Sequence, residues 1–370
     1  MKVCMLAFGA FHYSIALTNA LSKYCRIDFY YNKYHLQKRD SSILDVLKDK
    51  DNVKLFGYGR YRIRDFRNIP IYYKLCKDIK NRRYDVIHFQ EYGTPWMALF
   101  WRICRKYPLV MTVHDPYQHP GLPFTQNAYQ DVMQKIFVRK AKKIIVHGIV
   151  LKDQFLERYS EKGNEDIVIL PHGDFSIMKY WDECENKNEK IKPIKNILFF
   201  GTIRPNKGLE YLIKAEPFVR ERMSNYKIII AGKCDNFNRY KKYIEKGAKI
   251  NVVNEYIPNK DVPKYFNEAS VVVLPYTSAT QTGIIPLAYS FGKPVIATKV
   301  GAIPEVLEDG KTGFLIEPRN EKALANTIVK LLSDDNLLKE MGKNALMYCK
   351  ENLSWDSIAK KTMKIYYELI

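Results

Sequence analysis

Short apolar runs rich in β-branched residues alternate along the chain with stretches whose apolar positions recur every three to four residues. Lys2–Phe8 reads as a buried strand, Gly9–Tyr13 as a loop, and Ile15–Tyr24 as a helix turning Ile15, Leu17, Ala20 and Leu21 inward. The same order returns at mid-chain. Asn196–Phe200 reads as a strand, Gly201–Gly208 as a loop, and Leu209–Phe218 as a helix with Leu209, Leu212, Ile213 and Ala215 on its inner face. Further strands are predicted at Val86–Phe89, Leu109–Val113, Ile144–Val146 and Ile167–Leu170, then at Lys227–Ala231, Ile250–Val253, Val271–Leu274, Pro294–Ala297 and Phe314–Ile316. Helical patterns lie between most of them, which argues for parallel sheets with right-handed crossovers.

At 370 residues the chain has room for about two domains, each with its own core. Residues 176–194, with Asp182, Glu183, Glu185, Asn186, Lys187 and Asn188, form a polar run without period and are the expected linker. The expected domains are therefore 1–175 and 195–353, both α/β, Rossmann-like and doubly wound. Ligands of open parallel sheets bind beyond the carboxyl ends of the strands, so functional loops are expected after the strands above.

Composition narrows the class without naming a chemistry. With 46% hydrophobic and 27% charged residues the chain is an ordinary globular protein. Its seven cysteines are scattered and contain no Cys-x-x-Cys spacing, so neither a disulfide framework nor a zinc site is expected. Gly9, His12 and Asn19 interrupt the first apolar run before a signal-peptide core is reached, and no stretch approaches the ~18 apolar residues of a membrane span. The default expectation is a cytoplasmic protein.

A net charge of +20 calls for an anionic partner. The charge is concentrated in segment 54–83, which interleaves ten Lys/Arg with Phe56, Tyr58, Tyr61, Phe66, Tyr72 and Tyr73. That segment reads either as a solvated basic surface over core aromatics or as a patch that touches an anionic membrane at its inner face. No nucleic-acid module accompanies it, so nucleic acid is not an expected partner.

Two loops carry candidate chemistry. Gly201-Thr202-Ile203-Arg204-Pro205-Asn206-Lys207-Gly208 places Arg204 and Lys207 between a strand and a helix, where two cations can grip a diphosphate. A plain basic turn is the alternative. Thr280-Gln281-Thr282-Gly283-Ile284-Ile285-Pro286 follows the strand Val271–Leu274, and Pro286 fits the first turn of a helix. The amides of Thr282, Gly283, Ile284 and Ile285 would then be open to an anion, unless the stretch is an ordinary Thr-capped helix.

These loops, in this order, resemble family 4 (group 1) of the retaining glycosyltransferases. The resemblance continues through Leu170-Pro171-His172-Gly173, Ile230-Ala231-Gly232-Lys233, Tyr256-Ile257-Pro258, Gly292-Lys293-Pro294-Val295-Ile296-Ala297-Thr298, Val300-Gly301-Ala302-Ile303-Pro304-Glu305 and Asp309-Gly310-Lys311-Thr312-Gly313. In the first half it rests on Gly9, Val113-His114-Asp115-Pro116 and His119-Pro120-Gly121.

The resemblance implies a GT-B fold, with two such domains facing across a cleft and a final helix over 354–370 crossing back to the first. The apolar spacing of Trp355, Ile358, Ala359, Met363, Ile365, Tyr366 and Leu369 suits such a helix. It also implies transfer of a hexose from a UDP- or GDP-sugar, a co-substrate rather than a cofactor, to the hydroxyl of a glycan or lipid-linked glycan. The configuration is retained, no metal takes part, and the departing phosphate accepts the acceptor proton.

Arg204, Lys207 and His114 would be catalytic. Gly9 would join Arg204, Lys207 and the amides of Thr282 to Ile285 around the diphosphate. His114, Asp115, Gln281 and Thr282 would meet the donor sugar. Gly232, Lys233, Tyr256, Ile257 and Leu287 would hold base and ribose, with Phe11, His12 and His119 on the acceptor side. His172 would order the interdomain crossing, and Glu305 would help to position a loop or a hydroxyl.

One departure matters. The family's two glutamates, seven residues apart across the phosphate loop, are replaced by Ala279 or Thr280 and by Leu287 or Ala288. Gln281 and Thr282 could replace the sugar contact. A catalytically silent, nucleotide-sugar-binding partner subunit is the alternative function.

Overall fold

The structure is a computed structural model that describes residues 1–7, 9–37, 41–59, 61, 65–90, 94–117, 124–182 and 194–370; the side chains of residues 35, 37 and 124–130 are outside the description. The chain divides into two compact units, residues 1–173 with 354–370, and residues 174–353.

The first unit holds a seven-stranded parallel sheet: β1 (Lys2–Ala7), β2 (Arg26–Asn32), β3 (Val53–Tyr58), β4 (Val86–Gln90), β5 (Leu109–Thr112), β6 (Lys143–Val146) and β7 (Ile167–Ile169). Its spatial order is β3-β2-β1-β4-β5-β6-β7, with Leu6 beside both Tyr30 and Phe89. β1 and β4 are buried along nearly their whole length, as central strands covered on both faces must be.

Two of these strands were not legible as strands. β2 carries Arg26 and Asp28, charges that argue against a buried strand, yet Asp28 is 3% exposed. It is held by the Tyr84 hydroxyl at 2.6 Å and by Lys2 at 3.5 Å, which answers the cost of burying its charge. β3 overlaps the start of the basic segment 54–83. Phe56 and Tyr58 pack against the core and Tyr72 is fully buried, whereas Tyr61, Phe66 and Tyr73 are exposed. Arg60, Arg62 and Arg64 lie outside the described residues.

The first helix spans Phe11–Leu21 rather than Ile15–Tyr24, so Phe11, His12 and Tyr13 are helical and not loop. Ala10, at φ 44° and ψ 46°, turns the chain left-handed directly ahead of it, which shortens the connection from β1. This helix is buried on almost every side because the C-terminal helix Trp355–Tyr367 packs across its outer face. Trp355, Ile358, Ala359, Met363, Ile365 and Tyr366 are buried there, in the first unit.

The second unit holds a six-stranded parallel sheet: β8 (Lys195–Phe200), β9 (Tyr226–Ala231), β10 (Ile250–Val253), β11 (Val271–Leu274), β12 (Val295–Thr298) and β13 (Gly313–Ile316), in the order β10-β9-β8-β11-β12-β13. The helix Leu209–Arg220 buries Leu209, Leu212, Ile213 and Ala215 against it. Both sheets are therefore doubly wound and parallel. Of the polar run 176–194, Ser176–Trp181 forms a 3-10 helix within the second unit, and residues 183–193 lie outside the described ones.

Candidate functional site

In the second unit the loops after β8, β9, β11 and β12 are tied to one another by backbone bonds. The amide of Ile203 donates to Lys233 O at 2.9 Å, Thr277 to Asn206 O at 2.9 Å, and Ala302 to Thr280 O at 2.9 Å. Close approach at two points demands glycine. Gly208 has φ +61°, and a Cβ there would collide with the carbonyl of Pro275; at Gly232 a Cβ would collide with that of Gly201.

This knitting sets the cations. Lys207 holds its ammonium 3.8 Å from the centroid of the Tyr276 ring, and the Tyr276 hydroxyl lies 3.4 Å from Thr282 Oγ1. The lysine loop and the threonine loop thus converge through one buried tyrosine. Neither Arg204, which is exposed, nor Lys207 has an acidic partner among the described residues. Two cations on one loop without acidic partners can attract an anion. Lys233 is exposed and joins the same loop through Ile203.

The amide wall differs from expectation in one respect. The helix after this loop is only Ile284–Ser290, and the amide of Ile284 donates to Thr282 Oγ1 at 3.2 Å. Ile284 N–H is therefore occupied within the loop, and a seven-residue helix adds little dipole. The side chains of Arg204 and Lys207 must carry most of any grip on phosphate. Gln281, Thr282 and Gly283 are half-buried, while Ile285 is buried.

The remaining assignments on this unit fall at the same carboxyl edge. Tyr256 is 44% exposed after β10, and Ile257 beside it is buried. Leu287 and Ala288 are buried helix residues, 5% and 0% exposed, so no carboxylate stands at either position. Glu305 is exposed on the short helix Ile303–Val306, just past the bond that joins Ala302 to Thr280.

In the first unit the carboxyl edge gathers histidines. His114 follows β5, His147 follows β6 and His172 follows β7, three neighbouring strands. Tyr13 stands against all three rings at 4.7, 5.0 and 5.2 Å, and Trp355 closes on Tyr13 at 5.0 Å. Hydrogen bonding fixes two tautomers. Leu170 O can only accept, so His147 Nδ1, 3.0 Å away, carries the proton, and neutral His147 presents Nε2 as an acceptor. His114 Nδ1, 2.9 Å from that Nε2, must then donate. His114 Nε2 is left as a buried acceptor with no partner among the described residues.

Burial holds these rings neutral. Desolvation first, then the neighbouring histidines, pushes the His114 pKa well below its ordinary value. Desolvation lowers His147 and His88 to about 3 and His172 to about 4. His88, in β4, bridges the Tyr366 hydroxyl at 2.6 Å and Thr112 Oγ1 at 2.8 Å.

His147, His88 and Tyr13 were missed by the sequence reading. A signal existed for His147: the runs Leu109–Val113 and Ile144–Val146 are each followed directly by a histidine. Gly9 is half-buried, and its carbonyl lies 3.4 Å from Ser14 Oγ. Asp115 is half-buried, with its carbonyl accepting from Gln134 at 3.0 Å. Phe11, expected on the acceptor side, is 2% exposed and belongs to the core, because it opens the helix rather than lying in a loop. His12 beside it is half-buried. His172 Nδ1 lies 2.9 Å from Gly173 O, where the chain leaves the first unit. His119 lies outside the described residues.

Residues 10–173 match the family model described as Glycosyltransferase Family 4, and residues 194–334 match Glycosyl transferases group 1. An uncharacterized glycosyltransferase of Methanocaldococcus jannaschii is 29% identical over 77% of this chain and 75% of its own length. The D-inositol 3-phosphate glycosyltransferase of Corynebacterium glutamicum is 23% identical over 78% of this chain and 73% of its own. Among solved structures, the sucrose-phosphate synthase of Thermosynechococcus elongatus superposes with a TM-score of 0.73 at 18% identity, covering 100% of this chain and 99% of that one. Anabaena HepE in complex with UDP and glucose gives 0.72 at 18% identity, with both chains fully covered, 100% each. At that identity the superpositions speak for the fold, GT-B, while the family models speak for both halves of the sequence. The chain belongs to the family 4, group 1 glycosyltransferases, and it is a transferase of that family.

Proposed function

We propose that the chain moves a hexose from a UDP- or GDP-sugar to an acceptor hydroxyl on a glycan or lipid-linked glycan, with retention at the anomeric carbon and without a metal. The observation that carries this reading is the meeting of Lys207, Tyr276 and Thr282 in the loops that also bear Arg204, two cations with no acidic partner among the described residues. A uridine donor is supported further by the UDP and glucose bound to Anabaena HepE.

In the reaction, the bond from the anomeric carbon to the β-phosphate oxygen breaks as the bond to the acceptor oxygen forms on the same face. The acceptor proton passes to the departing phosphate. Arg204 and Lys207 stabilise the charge that grows on the diphosphate, where a charge-assisted bond is most favourable. Thr282 and Gln281 offer neutral hydrogen bonds to the sugar in place of the family's glutamate, and Lys233 and Tyr256 line the nucleoside end. His114 Nε2, which has no donor among the described residues, takes a hydrogen bond from a substrate hydroxyl.

The test is turnover of UDP- and GDP-hexoses with and without EDTA, with the anomeric configuration of the product read by NMR. Metal-independent release of one nucleoside diphosphate and an unchanged anomer are expected; an inverted product or loss of turnover in EDTA overturns the reading. A second reading, a silent nucleotide-sugar-binding subunit, draws on the apolar Leu287 and Ala288 where a carboxylate is usual. It predicts nucleotide binding with no release of sugar, even to water.

A further inference from the structure

Helix Asn68–Arg82 buries Asn68, Tyr72, Leu75, Cys76 and Ile79. Its opposite side carries Ile69, Tyr73 and Lys77, spaced four residues apart and all exposed. The neighbouring helix Pro95–Phe100 and the turn Trp101–Ile103 bury Met97 and Trp101 but leave Leu99 60% exposed. Phe66, just ahead of the first helix, is 76% exposed, and its ring meets Trp96 at 6.0 Å. Tyr73 meets Phe100 at 5.5 Å. Two aromatic contacts thus tie Phe66 and Tyr73 to the helix that bears Leu99, and Ile69 lies between Phe66 and Tyr73 at helical spacing, whereas stray surface apolar residues normally stand singly.

Cations surround this surface. Lys74, Lys77, Arg102, Arg105 and Lys106 are all exposed. Among the described residues the nearby acids do not answer them: Asp65 is taken by Arg67 at 2.6 Å, and Asp78 is half-buried. Residues 96–106 fall outside the basic segment visible in the sequence, and only the packing of the two helices adds them to it.

Three partners could meet such a face, and the chemistry separates them. A nucleic acid would use the rings for stacking, but Ile69 and Leu99 offer no stacking face. The core of a protein interface excludes lysine, which here sits on the same helical stripe as Ile69 and Tyr73. An anionic bilayer suits every group: aromatic and aliphatic tips enter the headgroup boundary while the cations stay among acidic lipids. We propose that the helices Asn68–Arg82 and Pro95–Phe100 seat the enzyme on an anionic membrane through Phe66, Ile69, Tyr73 and Leu99, with Lys74, Lys77, Arg102 and Arg105 drawing it there. The acceptor is then delivered at a lipid surface, whichever nucleotide the donor carries.

The experiment is flotation of the full chain with vesicles of phosphatidylcholine alone and of phosphatidylcholine with about one-third phosphatidylglycerol. The wild type floats only with the acidic vesicles, and less as salt is raised. Phe66→Ser with Leu99→Ser weakens the binding at least about tenfold, because the apolar area that can insert is reduced. Arg102→Glu with Arg105→Glu weakens it by about fivefold or more for each cation removed. Both variants keep the wild-type melting temperature and UDP affinity, so failure here leaves the donor reading standing, and the converse holds.

Equal recovery with and without acidic vesicles overturns the proposal. So does flotation of the Phe66/Leu99 variant at wild-type affinity. Displacement from vesicles by a single-stranded oligonucleotide, which the Phe66/Leu99 variant binds as tightly as the wild type, overturns it in favour of nucleic acid.

Discussion

Acidification from pH 7.5 to 6.0 tests the buried histidines. His88, His114, His147 and His172 lie in the first unit, and burial holds each of them neutral, with folded pKa values of about 3 for His88 and His147 and about 4 for His172. In the unfolded chain each returns to about 6.5. Depressed folded values mean that the unfolded chain binds more protons below pH 6.5, so stability is full above that pH and is lost as pH falls toward 4.

Between pH 7.5 and 6.0 one such histidine contributes a loss of about 0.8 kcal/mol, and four contribute about 3 kcal/mol. That is a large share of the ~5–15 kcal/mol that holds an ordinary domain together. The result depends on the unfolded value alone, since the folded rings do not titrate in this window. Three of the four tryptophans, Trp96, Trp101 and Trp355, belong to the first unit. Urea unfolding of a Trp181→Phe variant, followed by fluorescence, therefore reads the first unit. His88→Gln should remove about a quarter of the loss. Stability that stays within about 0.5 kcal/mol across this range would refute the neutral histidine cluster.

Other perturbations probe the frame around both sites. Truncation after Ser354 removes the buried face of Trp355, Ile358, Met363, Ile365 and Tyr366, each worth roughly 1.5–3 kcal/mol; it should abolish cooperative unfolding of the first unit by calorimetry. Gly208→Ala forces a Cβ against the Pro275 carbonyl at positive φ, and should cost about 1–3 kcal/mol of second-unit stability in urea while lowering nucleotide affinity by calorimetry. His147→Ala takes away the acceptor that holds His114 Nδ1–H, whereas His147→Gln can restore one through its amide oxygen. The alanine variant should shift the acid limb of the kcat profile and lower kcat about tenfold, and the glutamine variant should recover most of both.

Most of the strands could be read from the chain because they are continuous runs of apolar, largely β-branched residues. β2 and β3 could not, since a buried Asp28 and the surface-like Lys54 and Gly57 break the pattern, and the pairing of Asp28 with Tyr84 and Lys2 makes the first tolerable. The two loops proposed to hold phosphate stood out in the sequence because glycines and cations sit between strand and helix. The capture of Ile284 N–H by Thr282 was not, because a threonine two residues ahead of a helix can either cap its amides or leave them open. His114 was visible as one residue, but the relay through His147 needs β5 and β6 side by side. The exposed apolar and basic surface of the two helices has the same origin, as residues 66–77 and 96–106 are remote in sequence and adjacent only once packed.

The central claim is that Arg204 and Lys207 hold a nucleoside diphosphate. Calorimetric titration of UDP and of GDP into the wild type and into an Arg204→Ala, Lys207→Ala variant tests it most directly. Each charge-assisted contact is worth roughly 1.5–3 kcal/mol, and both cations are at least partly exposed, so the lower figure applies to each. The account predicts that the preferred nucleotide binds the variant at least about a hundredfold more weakly with its melting temperature unchanged. Wild-type affinity in a folded variant would contradict it.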